Sequence, residues 1–558
     1  MPVPFFLKDP LEKQKVDFSS AFYKLLQKRG LTDAAAIQSF LYSGLSDLHD
    51  PFLMKNMREV KARIEKAVQA GEKVLIHGDY DVDGITGVAV VVRTLDKLGG
   101  KYTTFLPERE RDGYGVSEAA IHQARDQGVT LVMTVDCGIT AKKEIEIARS
   151  YGMDVIVIDH HRLPAEGLPD TRLILNPLQA DCAYPFKELS AAGLAFKLSQ
   201  ALTGEAAMEH LDLVALSTIS DIAPLTGENR ILVKNGLALL SDRKNVGIRA
   251  LAEVAKMKAT RVDTGHVGFI LGPRLNAAGR MSSADTALQL LLTQAPREAE
   301  SLAKILDAEN KDRQRSERET TQEALRKVER TVNFNRERVL VVEGAGWHRG
   351  VIGIVASRLV EKYERPAIVI SVEEGVGRGS GRSIKSFHLF NALSSCEAVL
   401  EEFGGHAQAA GLTVREENIP LLREKINAFA FEHLPPEALK RQVAVDMELK
   451  LSELTARFLE ELELLEPHGM GNPRPVFRSE DLELRAKPRR LYGETYEVVL
   501  SDGLLNYQAQ LNEKQMLACA ASGAGARFEA AYSVKTKQWN GMKTLVLSVK
   551  EFREKDRT

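Results

Sequence analysis

The sequence lacks the features that mark secreted, membrane-spanning and zinc-stabilised proteins. Its four cysteines show no CxxC spacing, which argues against a disulfide framework and against a zinc ribbon. No stretch approaches the roughly 18 uninterrupted apolar residues of a membrane helix. The apolar part of the start is too short for a signal peptide. These absences predict a cytoplasmic protein without a membrane span.

A strong charge of either sign is also missing. The formal net charge is −2, so the protein is not a generally basic coat for nucleic acid. Any strand that it grips must be held by local arginines and lysines. No internal repeat or low-complexity segment is evident. The 558 residues are too many for one core, and this length predicts three or four domains.

Acids and histidines stand at the ends of short apolar runs. The runs 73–76, 131–135 and 155–158 read as buried strands, each followed by a polar loop. The carboxyl ends of parallel strands meet at one edge of an open α/β sheet, so these polar groups should cluster there. Carboxylates and imidazoles bind hard divalent cations, which predicts a phosphate-cleaving site with two metal ions. The polar groups are His77, Asp81, Asp83, Asp136, Asp159, His160, His161 and Asp221.

Each of these residues also has a simpler interpretation. A single Asp after a strand is more often a helix cap or a turn former, and a histidine pair is more often solvated or structural. Asp221 is the weakest member, because it follows an apolar stretch (211–220) that fits a helix or a short strand and could be a cap before Pro224. The joint occurrence of all these groups favours the metal site.

Four segments of the chain resemble the motifs of the DHH phosphoesterase superfamily. They are HGDYDVDGITG (77–87), VDCGI (135–139), DHH (159–161) and SDIAPL (220–225). Within the superfamily the chain is most similar to the RecJ family of single-strand-specific 5′ to 3′ exonucleases. That likeness extends through PRLNAAGRM (273–281), GWHRGVIGIVASRL (346–359), GSGRS (379–383), GGHAQAAG (404–411) and GMGNPRPVF (469–477). It covers nearly the whole chain.

The resemblance implies which residues hold the two ions. One ion would be bound by His77, Asp81 and Asp136, and the other by Asp83, Asp136, His160 and Asp221, so that Asp136 bridges. Mn²⁺ or Mg²⁺ is the expected metal, because the ligands are mostly oxygens; the imidazoles favour Mn²⁺, and zinc stays open.

Three further residues beside these ligands are expected to take part in the reaction. Neighbouring side chains on a strand point apart, so we expect His161 to contact the scissile phosphate while His160 ligates. Asp159 and Asp79 are expected to orient an imidazole or a water, with loop capping as the alternative.

An exonuclease must also recognise a strand end, and guanidinium groups with hydroxyls suit a terminal phosphate. By resemblance, Arg280, Ser380 and Arg382 hold the 5′ phosphate, and Arg109 joins them unless it is a solvated loop arginine. Asn276 in the same motif as Arg280, and His406 in GGH, are further candidates for substrate contact. The segment 404–411 reads as a tight glycine turn that enters a helix.

The pattern of elements predicts an α/β protein with a β domain at its end. The expected divisions are a helical extension preceding the first domain (1–50), a parallel-sheet DHH domain (51–295), a connecting helix (296–336), an α/β DHH-associated domain (337–438) and an OB-like domain (439–558). The OB identity comes from the resemblance, since periodicity indicates only an all-β fold. The charge run 309–320 is interpreted as the solvated face of the long helix, without a DNA contact.

The predicted function is metal-dependent 5′ to 3′ exonuclease activity on single-stranded DNA, releasing nucleoside 5′-monophosphates in DNA repair and recombination. One alternative is a phosphodiesterase for short oligonucleotides or cyclic dinucleotides; another is a scaffold that keeps the fold without catalysis. The presence of every expected ligand argues against the scaffold. We expect a monomer that binds single-stranded DNA, with a single-strand-binding protein and a helicase as candidate partners. The choice between DNA and RNA stays open.

Overall fold

The computed structural model describes residues 18–108, 111, 113, 115–486, 488–522, 526–539 and 542–555. These residues fall into two compact units. The central unit is Asp47–Gln442, and the terminal unit combines the described residues of Met1–Ser46 with those of Val443–Thr558. The first two helices, α1 (Ser20–Lys28) and α2 (Ala34–Tyr42), belong to the terminal unit.

The central unit begins with a five-stranded sheet whose strands are all parallel, in the order β2-β1-β3-β4-β5. The strands are β1 (Lys73–Gly78), β2 (Lys101–Phe105), β3 (Val129–Val135), β4 (Asp154–Ile158) and β5 (Leu173–Leu175). The helices are α3 (Met57–Ala70), α4 (Val82–Leu98), α5 (Glu118–Asp126) and α6 (Lys142–Ser150). The parallel sheet is confirmed, and its continuous apolar runs reflect burial on both faces.

A group of helices follows the parallel sheet, and several of them contact α4. The helices of this group are α7 (Ala191–Thr203), α8 (Leu211–Ser220), α9 (Gly227–Asp242), α10 (Val246–Val254), α11 (Thr264–His266), a π-helical turn (Val267–Leu271), α12 (Gly272–Met281) and α13 (Asp285–Leu292). The predicted connecting helix is α14 (Pro296–Thr331), 36 residues long. Pro296 occupies its first turn, where a missing N–H costs nothing.

A second sheet completes the central unit, in the order β6-β7-β8-β10-β9, with β6 and β7 parallel and the other pairs antiparallel. Its strands are β6 (Leu340–Ala345), β7 (Ala367–Glu373), β8 (Val376–Arg382), β9 (Glu402–Gly405) and β10 (Ala409–Arg415). Its helices are α15 (Arg349–Tyr363), α16 (Leu389–Ser394) and α17 (Ile419–His433).

The helix predicted within 404–411 is wrong, because these residues form the turn and strands of the β9–β10 hairpin. Ala410 pairs with Gly381, and Gly411 pairs with Ser380. The small side chains of β10 therefore lie against the glycine-rich strand β8, and pairing with that strand outweighs the local helix preference of alanine.

The terminal unit contains a seven-stranded sheet, β11-β12-β16-β17-β15-β14-β13, in which β12 also pairs with β14. That extra pairing closes the sheet into a small barrel, as the β pattern predicted. The strands are β11 (Met447–Glu448), β12 (Phe477–Leu484), β13 (Arg489–Tyr492), β14 (Thr495–Ser501), β15 (Asn506–Asn512), β16 (Phe528–Trp539) and β17 (Met542–Glu554). Two helices, α18 (Ala456–Glu463) and α19 (Glu513–Ala521), belong to the same unit.

We expected α1 and α2 to accompany the first domain, but both helices pack in the terminal unit. Phe22 and Leu25 of α1 are fully buried in one core with Phe458 of α18 and strand residues of the barrel. Arg29 also forms an ion pair of 3.0 Å with Asp446. An amphipathic pattern shows that a helix has a buried face, but it does not identify the surface that covers that face.

Replacing Phe22 by Ala should therefore destabilise the terminal unit. Truncation of a fully buried Phe costs about 3–5 kcal/mol of unfolding free energy. Hydrogen exchange in increasing urea should show earlier opening of peptides from 443–558, while peptides from the parallel sheet are unchanged. Tyr23→Ala is the matched control, because Tyr23 is 42% exposed. Earlier opening of the parallel sheet instead would contradict the packing of α1.

Candidate active site

Two carboxylates at the start of α4 are held by backbone donors. Asp81 caps α4 and accepts hydrogen bonds from the N–H groups of Asp83 (2.8 Å) and Gly84 (3.2 Å). The carboxylate of Asp83 accepts from the first N–H groups of α7, Ala191 (2.8 Å) and Ala192 (2.9 Å). Free N–H groups at a helix start suit a negative charge. Both acids are therefore fixed in position although they are close together.

Asp136 follows β3 and lies at the centre of the acidic cluster. Its φ of 63° is in the left-handed region, which Asp tolerates better than most residues and which is frequent at functional sites. Its Oδ1 is buried and makes no hydrogen bond with a described residue. The nearest imidazole nitrogen, Nε2 of His160, lies 3.3 Å from it. A buried carboxylate oxygen without a donor is suited to a cation.

The two histidines after β4 both point toward Asp136. Nδ1 of His161 lies 3.9 Å from Asp136 Oδ1 and 2.8 Å from Asp159 Oδ1. Asp159 also accepts from the N–H groups of Ile139 and His161, each at 2.9 Å. The expectation that adjacent side chains diverge does not hold here. The histidines lie in a loop beyond Ile158, where the alternation of a strand no longer applies.

Among the residues that the structure describes, three groups of side chains are close enough to hold metal ions, with ligand atoms within 4.8 Å of one another. The groups are Asp79, Asp81 and Asp136; Asp83, His160 and Asp221; and Asp136, His160 and His161. Asp136 and His160 each occur in two of them. Asp221, at the C-terminal end of α8, joins the cluster rather than serving only as a cap.

His77 is not in any of these groups, whereas Asp79 is. The His77 ring is fully buried, and its Nε2 accepts a hydrogen bond of 3.1 Å from the Ser117 N–H. Its Nδ1 lies 3.8 Å from the Cys137 sulfur. His77 belongs to β1, whereas Asp79 lies just beyond its end. The structure thus groups Asp79 with Asp81 and Asp136, while the His77 ring accepts from the backbone of the neighbouring loop; His77 as a ligand stays a prediction.

Burial of several carboxylates together raises their pKa values. Burial, followed by the charges of Asp83 and Asp81, raises the pKa of Asp136 well above its ordinary value. The same causes raise the pKa of Asp221 to about 8. Burial and Asp83 raise the pKa of Asp81, and the hydrogen bonds from the Gly84 and Asp83 N–H groups, followed by the Arg280 guanidinium, partly offset that rise. Such a cluster ionises most readily around cations, so the donor set fits two hard divalent ions.

Beside the cluster lies a pocket of about 680 Å³ that is rich in arginine. It is lined by three of the predicted phosphate-binding residues, Arg280, Ser380 and Arg382. Arg349 and Arg378 also line it and were not predicted from the sequence, although Arg349 lies inside the segment 346–359 and Arg378 directly precedes the segment 379–383. This surplus of guanidinium groups and the hydroxyl suit a phosphate with a high negative charge.

Close backbone packing connects the pocket to the acidic loop. A Cβ on Gly279 would lie 2.2 Å from the Tyr80 carbonyl oxygen, so α12 can contact the loop only through glycine. The next residue, Arg280, donates to the Gly350 carbonyl oxygen of α15 at 3.1 Å. A Cβ on Gly353 would lie 3.0 Å from both Arg382 and Ser380. Helices α12 and α15 thus position the arginines beside the acids.

Other predicted substrate contacts have different surroundings. The Asn276 side-chain oxygen accepts a hydrogen bond of 3.1 Å from the Val82 N–H, so it supports the acidic loop. His406 is exposed in the β9–β10 turn and is not among the residues that line the pocket. Arg109 lies outside the described residues.

Family models match the chain in three places. The DHH family N-terminal domain matches residues 73–218, the DHHA1 domain matches 336–432, and the RecJ OB domain matches 445–551. The first two, together with the acid and histidine cluster, define the chain as a member of the DHH family. The chain is 38% identical over 538 residues to the single-stranded-DNA-specific exonuclease RecJ of Bacillus subtilis (strain 168), covering 94% of this chain and 67% of that protein.

Solved structures of RecJ from Thermus thermophilus are also similar to the chain. The complex with Mn²⁺ is 31% identical with a TM-score of 0.81, covering 96% of this chain and 76% of that one. The complex with Mg²⁺ is 30% identical with a TM-score of 0.75, covering 97% and 75%. The chain belongs to the RecJ family.

Among the described residues, no helix has the length and apolarity needed to cross a membrane.

Mn²⁺ should stabilise the folded protein, and more strongly as the pH rises. The folded-state pKa of Asp221, about 8, lies above its ordinary value of 3.8. The stability that its proton contributes is therefore complete below pH 3.8 and is lost as the pH rises through about 8. The metal-free protein should unfold at a lower temperature at about pH 8.5 than at about pH 6. Mn²⁺ at a hundredfold excess over Kd should add about 2.7 kcal/mol.

Asp136→Asn should remove most of this Mn²⁺-induced rise in Tm, since it removes the central carboxylate. Asp126→Asn is the control, because Asp126 is 65% exposed and lies outside the three groups. An unchanged rise in Asp136→Asn would refute the central role of Asp136.

Proposed function

We propose that the chain is an exonuclease that hydrolyses single-stranded DNA from its 5′ end and releases nucleoside 5′-monophosphates, with Mn²⁺ or Mg²⁺. The observation that carries the proposal is the direct link, through α12, between the acid and histidine cluster and the arginine pocket. Relatives named single-stranded-DNA-specific exonucleases and RecJ structures with Mn²⁺ and Mg²⁺ support it. Roles in DNA repair and recombination belong to the same proposal.

Two ligand sets share Asp136 in this proposal. One ion would be held by Asp79, Asp81 and Asp136, and the other by Asp83, Asp136, His160 and Asp221. When bound, such ions stabilise the charge that develops on the phosphoryl group and make water a better nucleophile.

His161 and Asp159 complete the reaction site. Asp159 holds His161 Nδ1 at 2.8 Å and so orients the ring. Nε2 of His161 would then donate a hydrogen bond to the scissile phosphate.

The arginine pocket explains action from an end. Arg280 and Arg382, with the Ser380 hydroxyl, would bind the terminal 5′ phosphate and hold the first phosphodiester at the ligand cluster. A terminal phosphate carries more negative charge than an internal one, so the pocket selects ends. Arg349 and Arg378 add to this selection.

The expected domain boundaries suggest which part of the chain cleaves DNA and which parts bind it. Residues 51–295 would cleave, 296–336 would connect, 337–438 would bind the strand end, and 439–558 would grip single strands by stacking and local charge. Tyr496 is a half-buried candidate for stacking, whereas the side chains of Tyr492 and Trp539 lie outside the described set. A cytoplasmic location, a monomer, and partnership with a single-strand-binding protein or a helicase are part of this proposal.

The wild-type enzyme should release mononucleotides only from the 5′ end of labelled single strands, and chelator should stop the release. Arg382→Ala should lower the preference for a 5′ phosphate over a 5′ hydroxyl by roughly ten- to hundredfold, because a charge-assisted hydrogen bond contributes about 1.5–3 kcal/mol. Arg415→Ala is the control, since Arg415 is an exposed arginine paired with Glu401. Release from the 3′ end, or activity in chelator, would reject the proposal.

Removal of the terminal unit should weaken binding of long strands while sparing dinucleotides. The appropriate truncation is residues 47–442, because α1 and α2 share the core of the barrel. Affinity should fall for strands longer than one OB site, about 4–16 nucleotides. Circular dichroism checks that the truncated protein is folded. Equal affinity of both proteins for a long strand would assign the barrel another role and favour a short-oligonucleotide phosphodiesterase.

A further inference from the structure

A second groove lies in the central unit, and its lining includes no residue of the acid and histidine cluster. It has a volume of about 520 Å³ and is formed by the π-helical turn with the start of α12, by the middle of α14 and by α15. Its lining combines an aromatic ring, arginines and polar side chains. The residues that matter are Phe269, Arg313, Glu317, Arg318, Thr321 and Arg358.

Phe269 is the most unusual of these residues. Its side chain is 83% exposed, although burial of a Phe is worth about 1.5–3 kcal/mol. It lies in the π-helical turn Val267–Leu271, and such turns are frequent at functional sites. The turn leads directly into α12, which carries Arg280. A rigid exposed ring of this kind can stack on a nucleotide base.

The charge of the groove is positive. Three arginines face one acid, Glu317, which pairs with Arg313 at 3.0 Å and with Arg358 at 3.4 Å. Arg318 is exposed and forms no ion pair within the part of the chain that the structure describes. A backbone phosphate would supply the partner that the exposed Arg318 guanidinium lacks.

The groove lies on the same two helices as the phosphate pocket. Along the π-helical turn and α12, Arg280 follows Phe269 by eleven residues, which corresponds to about 16 Å along a helix. On α15, Gly350 lines the pocket, and Ile354 and Arg358, about one and two turns further, line the groove. A strand held by its end in the pocket can therefore follow α12 and α15 to the groove.

We propose that this groove binds single-stranded DNA several nucleotides from the 5′ end, with one base stacked on Phe269 and backbone phosphates on Arg318 and Arg358. The inference rests on the proposed exonuclease function and extends it to a second contact in the central unit. It also assigns a DNA contact to part of the charge run of α14, which the sequence analysis interpreted as a solvated face.

The test is the kcat/KM of full-length protein on 5′-phosphorylated oligodeoxynucleotides of increasing length, with Mn²⁺. Phe269→Ala should leave dinucleotide hydrolysis unchanged and lower kcat/KM by about 5- to 150-fold on strands long enough to reach the groove. Phe269→Trp should retain activity on these strands, whereas Phe269→Leu should not. Phe431→Ala is the control, since Phe431 is an exposed aromatic residue of the same unit.

Arg318→Ala gives an independent measurement. It should reduce the slope of log affinity against log salt for long strands by about 0.7, and Arg415→Ala should not. Equal kcat/KM for wild type and Phe269→Ala at every length, or an equal loss at every length, would overturn the groove as a DNA site. A wild-type protein without activity on any single strand would instead reject the proposed function.

Discussion

Mutual repulsion among the buried carboxylates around Asp136 is the constraint on which the rest of the structure depends. Parallel strands bring Asp79, Asp136 and Asp159 to one edge of the sheet. Burial beside other carboxylates raises the pKa of Asp136. Some of these acids are compensated by the protein itself. Asp83 accepts from the start of α7, and Asp159 accepts from Ile139 and His161. The Asp136 oxygen without a donor defines where a cation compensates the rest.

The requirement for a second helical layer follows from this cluster. Asp83 is stabilised because α7 directs its first N–H groups at it and the Ser217 hydroxyl of α8 donates to it, and the acidic loop is supported by Asn276 of α12. Helix α12 therefore serves both sites: it braces the acids through Asn276 and Gly279, and it presents Arg280 to the pocket. The repulsion that would open the loop is thus opposed by the same helix that orders the substrate arginine.

Segments from both ends of the sequence meet in the terminal unit. Helix α1 contributes Phe22 and Leu25 to the core that holds the barrel strands, so a segment preceding the catalytic sheet is required for the fold of a domain after it. Along the sequence, the central unit is thus inserted between two segments that fold together. A truncation at residue 441 alone would therefore expose the apolar face of α1.

The sequence by itself determined the class of fold and most of the candidate site. Apolar runs before Asp136 and Asp159, and helix formers from Pro296 onward, express local preferences that survive in the structure.

The tertiary structure decided what depends on distant partners. From the sequence, His77 is expected to bind an ion and Asp79 to orient a neighbouring group, but only the end of β1 decides that the imidazole faces Ser117 and that the Asp79 carboxylate lies with Asp136. The β9–β10 hairpin depends on pairing with β8, and the exposed Phe269 is evident only when the surfaces of α12, α14 and α15 are assembled. Local propensity specifies elements, whereas which faces meet is set by packing between residues far apart in the chain.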